Sequence, residues 1–260
     1  MKTKTTLTYL TLTLLTLLFT ASCSKNPKGS VTPVNLTVEY LTNPLGVDVE
    51  IPRLSWTLMS SDNSKFGQRQ TAYRIIVSSS EQILEDNKGD IWDSDWVESD
   101  EMLLIEYKGI PLKSDKTYYW KVAVKDENGI ESNFSENSTW STGLFSQDEW
   151  SAKWIGTGEF YNPAEGPNKM EDPWFRKSFN LSEKPSKATL FVASVGFHEV
   201  YVNGQRIGEH VLAPAVTDHT KRARYIAYDI APELTEGENV ISLWLGTAWS
   251  IFAPYATDDK

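Results

Sequence analysis

The residues best equipped for chemistry gather near one end of the chain, in "VNGQRIGEHVLAPAVTDHTKRARY" at 202–225. Past an Asn-Gly pair, this stretch holds Asp218, His219, Lys221, Arg222 and Arg224, with hardly a bulky apolar side chain among them. Polar groups that converge beside an aromatic face are what a saccharide pocket uses. Trp249, just past "LGTA", supplies such a face, so Asp218, His219, Arg222 and Trp249 form a candidate carbohydrate site. A purely structural reading stands beside it. Asp218 can cap a turn, the basic residues can alternate on an exposed strand, and the loop with "WSIFAPY" can pack on another domain.

Other candidates are weaker. Asp93 with Asp95, and Asp258 with Asp259, are acid pairs, but neighbours this close are usually turn or edge residues. A catalytic couple needs one carboxyl desolvated, and these polar contexts offer no apolar pocket, so no catalytic residue is assigned. His198, His210 and His219 show no metal-ligand spacing on one face, so no metal site is expected.

Composition narrows the setting. Met1–Lys4 carry two lysines, and no charge follows until after Cys23, a pattern that matches an export signal over residues 1–22. Cys23 is the single cysteine; no intrachain disulfide can form, and its place just past the apolar run fits lipidation. The expected address is therefore the periplasm or an outer-membrane lipoprotein, with membrane contact only through the lipid. Without the leader's two lysines the chain carries 23 basic and 35 acidic residues, about −12, which argues against nucleic acid as a partner.

The elements that must position these residues read as β. Ten Trp, eleven Tyr and ten Phe, punctuated by Gly and Pro, suit short strands and many turns. A linker over 23–33 precedes a first domain over 34–146. There "RLSWTLM" puts Leu54, Trp56 and Leu58 on one face, "AYRIIVSSS" does so with Tyr73, Ile75 and Val77, and "TYYWKVAVK" with Tyr118, Trp120, Val122 and Val124. A turn or two of helix is expected around Ser80–Asn87. Leu112 followed by Tyr118 at a strand start looks like a tyrosine corner, so this domain resembles a fibronectin type III sandwich. A second domain over 147–260 offers seven strand-like runs between 150 and 246, with an Asn203-Gly204 hairpin, which suits a jelly roll. The fold class is thus all-β: an immunoglobulin-like sandwich followed by a jelly roll that is incomplete at "YATDDK".

Val-Asn-Gly followed in order by "RIG", "LAP", "TD", "KRARY", "YDI", L-x-x-G-x-N-x-I and "LGTAW" resembles the amino-terminal jelly roll of bacterial α-L-rhamnosidases, family 78 of the glycoside hydrolases. The region from "NPLGVDVEIPRLSW" to "WSAKWIG" is similar to that family's leading domain. The family more often has Gly-Trp where Ala215-Val216 stand and Tyr where His219 stands. The resemblance implies that hydrolysis, by two carboxyl groups with inversion, belongs to a downstream helical barrel, so this portion is expected to be inactive alone. It also implies a rhamnose-containing glycan and the missing carboxy-terminal catalytic domain as partners. Some jelly rolls of the family bind rhamnose through calcium; Asp218 could contribute one carboxylate of the six to eight oxygens calcium takes, so no cofactor is expected. The competing assignment is a stand-alone carbohydrate-binding surface lipoprotein. The chain by itself is expected to expose apolar surface and an unpaired sheet edge.

Overall fold

The computed structural model describes residues 29–62, 64–156, 172–219 and 221–248. The first sandwich stacks two antiparallel sheets. One orders β1 (Val31–Val38), β2 (Arg53–Ser60) and β6 (Ile105–Glu106). The other orders β4 (Trp92–Asp93), β3 (Ala72–Ser78), β7 (Thr117–Lys125) and β8 (Ser138–Ser141), with β5 (Val97–Glu98) also on β3. The alternation in sequence becomes burial. Trp56, Ile75, Val77, Trp120, Val122, Val124 and Trp140 are fully enclosed between the sheets.

Some of the large aromatic side chains in this core have partners for their polar atoms. The Trp56 indole donates to Gln70 Oε1 at 2.9 Å, and buried Gln70 in turn donates to the carbonyls of Ser99 and Glu101 at 3.0 and 2.9 Å. The indole nitrogens of Trp120 and Trp140 have no such acceptor, which costs about 1–3 kcal/mol each and leaves the aromatic packing to offset it. Tyr118 stacks on Trp140 at 5.4 Å and its hydroxyl accepts the Lys113 backbone N–H at 2.9 Å, the bond expected of the Leu112–Tyr118 corner. Asn35, with φ of 53°, sits at the register shift between Val34 and Thr37, where a bulge needs the left-handed backbone that Asn tolerates.

The face of β7 opposite the core is covered too. The expected helix forms as α1 (Glu81–Glu85), its first turn capped by the Ser80 side chain accepting from Ile83 N. Beside it Lys121 is buried, its ammonium 5.2 Å from the Phe134 ring centre, and desolvation pulls its pKa down.

The second sandwich pairs β12 (Gln205–Ile207), β11 (Phe197–Val202), β14 (Gly237–Gly246) and β9 (Trp174–Leu181) in one sheet. The facing sheet holds β10 (Thr189–Ala193) and β13 (Tyr225–Asp229). Val192, Val200, Val202, Tyr228, Ile230 and Leu234 fill the space between. Among the described residues these are six strands rather than seven: "WSAKWIG" runs on without ladder partners, Trp154 and Ile155 mostly exposed. The basic residues after Asp218 do not alternate on a strand either. Backbone N–H groups of Lys221 and Arg222 both return to the Asp218 carbonyl, which closes a turn and delays the strand to Tyr225.

Replacing Tyr118 by Phe removes the acceptor for the Lys113 N–H while keeping the ring on Trp140. Urea unfolding should show a loss of about 1–2 kcal/mol, and Tyr119→Phe, on the opposite face, should show much less.

Candidate functional site

The two sandwiches meet at a seam that is built around Tyr225. Its hydroxyl accepts the Leu144 N–H at 3.1 Å, and its ring packs edge-on against Trp150 and Phe191, with centroids 5.4 and 5.8 Å away. Burial raises the phenol's pKa, which keeps it neutral. Two glycines make room. A Cβ on Gly143 would lie 2.0 Å from the Tyr225 hydroxyl, and one on Gly46 would lie 2.6 Å from the Ala227 Cβ. Lys187 and Asp115, 3.9 Å apart and about half exposed, add an ion pair of little weight.

Trp150 is delivered to the seam by a capped turn. In the 3₁₀ turn Gln147–Glu149, the Ser146 side chain accepts from Asp148 N, and Glu149 Oε2 accepts from Ser146 N at 2.9 Å and from Ser114 Oγ at 2.8 Å. These bonds hold the Glu149 carboxyl below its ordinary pKa. They also tie the connector to the first sandwich, so its tryptophan reaches the second in a set orientation.

Beside the seam opens a cleft of about 960 Å³. Trp150, Phe191, Tyr225, Phe175 and Leu243 give it an apolar floor, and Lys153, Lys221 and Arg222 stand on its walls. Of the three described residues expected to form a carbohydrate site, Asp218, His219 and Arg222, the structure brings Arg222 here. Asp218 lies outside the cleft, its carboxylate 3.0 Å from the Lys221 ammonium. His219 turns into its own loop: Nδ1 is 3.4 Å from Thr217 Oγ1, and Nε2 is closed off from solvent without a hydrogen-bond partner. Thr217 Oγ1 donates to the Arg222 carbonyl at 2.7 Å, so the loop is braced internally. Trp249 and Cys23 lie outside the described residues, as do Asp258 and Asp259. Asp93 is held by Arg74 at 2.6 Å and accepts the Asp95 N–H, the geometry of a turn. Among the described residues no group of three or more His, Cys, Asp or Glu side chains is placed to hold a metal ion.

Asn203 does more than turn a hairpin. It takes φ of 50°, followed by Gly204 at 85°, as a tight turn requires. Its amide also donates to the Glu233 carbonyl at 2.8 Å and to Asn239 Oδ1 at 2.9 Å, and its Oδ1 accepts the Val240 N–H at 2.8 Å. Asn239, fully buried, bonds back to Thr235 and Gly237. Val-Asn-Gly and L-x-x-G-x-N, two motifs 36 residues apart at their asparagines, are halves of one polar lock. Of the seam residues, Gly46, Trp150 and Tyr225 stand inside the quoted segments "NPLGVDVEIPRLSW", "WSAKWIG" and "KRARY", but nothing in those segments signals that they meet one another or Gly143.

Comparison with known proteins follows the same two-part division. Residues 33–146 match the Rha78A-like N-terminal immunoglobulin domain, and residues 183–258 match the alpha-L-rhamnosidase N-terminal domain. An alpha-L-rhamnosidase of Formosa agariphila is 33% identical over 91% of this chain and 26% of its own length. One from Alteromonas sp. is 34% identical over 90% of this chain and 26% of its own length. The chain therefore spans about a quarter of the curated relatives that it matches. The structure of alpha-L-rhamnosidase from Dictyoglumus thermophilum superposes with a TM-score of 0.74 at 41% identity, covering 83% of this chain and 25% of that one. The Aspergillus terreus enzyme, 24% identical with a TM-score of 0.70 over 84% of this chain and 24% of its own, shares the fold.

Gly143→Ala should cost about 1–3 kcal/mol in urea unfolding, because the new methyl cannot coexist with the Tyr225 hydroxyl. Tyr225→Phe, which deletes only the bond to Leu144, should cost about 1 kcal/mol.

Proposed function

We propose that this chain, which belongs to the α-L-rhamnosidase family through its two amino-terminal domains, serves as the non-catalytic front of an exported enzyme that removes rhamnose from glycans. The observation that carries this reading is the seam. It joins an immunoglobulin-like sandwich and a rhamnosidase N-terminal domain, in the family's order, into a tied pair with a structural rather than a reactive junction.

The electrostatics support the same division of labour. Glycoside hydrolysis by an acid/base pair needs one carboxyl held protonated near neutrality by an apolar site. Among the described residues every shifted carboxyl, at Glu39, Asp62, Asp93, Asp126, Glu127, Glu149 and Glu199, is shifted down by hydrogen bonds or ion pairs. Such groups are stable anions and poor proton donors. In this reading hydrolysis is done by the helical barrel of the longer family architecture, and the two sandwiches support it. Rhamnose-containing glycan is the substrate class, as the names of the relatives suggest.

Export and anchoring complete the proposal. Residues 1–22 act as the signal and Cys23 receives the lipid, which places the enzyme in the periplasm or on the outer membrane.

Two measurements test this. The purified chain incubated with an aryl α-L-rhamnoside should release no phenol above the blank, and sustained release would overturn the assignment. In cells fed labelled palmitate the chain should take up label, and Cys23→Ser should not; equal labelling of both would remove the anchor from the picture.

A further inference from the structure

A buried hydrogen-bonded chain in the second sandwich has no part in the reading above. Ser194 Oγ donates to the Gly196 carbonyl at 2.9 Å, so its lone pair faces His198 Nδ1, 2.7 Å away, and that nitrogen must carry the proton. Nε2 is then the acceptor, and the Tyr228 hydroxyl, 3.0 Å away, donates to it. Ser194, His198 and Tyr228 are all at least 95% buried. This arrangement satisfies each polar atom only while the imidazole is neutral.

The segment 208–214, which follows β12, is wrapped around this chain. The backbone N–H of His198 donates to the Ala213 carbonyl at 2.8 Å. Gly208 lies against the Tyr228 ring, where a Cβ would come within 3.1 Å of Cε1, and the His210 ring meets that ring edge-on with centroids 5.9 Å apart. Arg206 reaches over to the carbonyls of Gly208 and His210 at 3.1 and 2.7 Å and pairs with Glu199 at 3.3 Å. Beyond these anchors Val211, Leu212 and Val216 project into solvent with 78%, 70% and 49% of their surface exposed. Within 208–216 only Pro214 is buried, so closure of the segment rests on that anchor, on the two bonds from Arg206 and on the contacts to His198 and Tyr228.

We propose that the loop 208–216 is an acid-released flap whose latch is the neutral Ser194–His198–Tyr228 chain. A proton on Nε2 sets N–H against the Tyr228 O–H, and Tyr228 must turn its own proton away. The charged and titratable groups facing the ring are Tyr228, His210 and, through Tyr228, Arg206. Glu199 is the neighbouring carboxylate, but its side chain stands on the opposite face of β11, bound to Tyr201 and Arg206. A charged His198 therefore meets the His210 ring and, through Tyr228, the Arg206 guanidinium, and among the described residues no buried carboxylate faces it.

The direction of the pH effect follows. Burial, with His210 nearby, pushes the His198 pKa down to about 4 from the usual 6.5. The neutral latch contributes in full above about 6.5 and is lost as pH falls from there toward 4.

Hydrogen exchange read by mass spectrometry, corrected for intrinsic rates, tests the flap on the intact chain. Between about pH 7 and pH 4.5 the peptide covering 208–216 should lose at least ~10-fold of its protection while peptides from β3 and β7 keep theirs. His198→Gln should flatten that change. Tyr228→Phe takes the donor from the neutral ring and should move opening to higher pH, which keeps the idea testable if the His198 variant does not fold. Unchanged protection of 208–216 in the unsubstituted chain, simultaneous loss in β3 and β7, or an unmoved midpoint in Tyr228→Phe would each overturn the proposal.

Discussion

The close approach of the Tyr225 hydroxyl to the backbone at Gly143 and Leu144 is the constraint on which the relation between the two sandwiches depends. A bond of 3.1 Å to Leu144 N requires bare backbone beneath the phenol, and Gly143 provides it. Once the phenol is seated, Trp150 and Phe191 close around its ring, and Ala227 of the same strand comes down on Gly46. The apolar contacts supply most of the attraction, since burying aromatic surface is worth more than a single bond. The bond and the glycines supply the angle.

The interior of each sandwich handles polar groups differently, and the difference bears on dynamics. In the first core two aromatic polar atoms have fixed amide partners, Gln70 for Trp56 and the Lys113 N–H for Tyr118, while the indole nitrogens of Trp120 and Trp140 have none. In the second, the buried polar chain passes through an imidazole, so its integrity depends on one proton. A structure can hold a neutral histidine in its core at little cost above pH 6.5, and pays in stability below it. The loop resting on that chain inherits the dependence.

Much of the architecture was legible because strand periodicity is a local property. Trp56, Tyr118, Trp120, Val122 and Val124 face the core as their spacing requires, the helix begins at its serine cap, and Asn203-Gly204 turns the hairpin. The candidate site was less legible. Asp218 and Arg222 are close in sequence, and a charged run looks alike whether its side chains converge on a ligand or brace a turn. Here the Asp218 carbonyl gathers the amides of Lys221 and Arg222 and its carboxylate takes Lys221, while Lys221 and Arg222 line the cleft and Asp218 does not.

From the order of residues alone came the two β-sandwiches, the tyrosine corner and the family resemblance, because alternation, turn chemistry and motif order are written along one strand or hairpin at a time. The meeting of Asn203 with Asn239, the enclosure of Tyr225 between two domains and the protonation state of His198 were decided only by the fold. Each joins residues from 30 to more than 80 positions apart. The free energy of such a contact depends on burial and distance, quantities that exist only after the chain has packed.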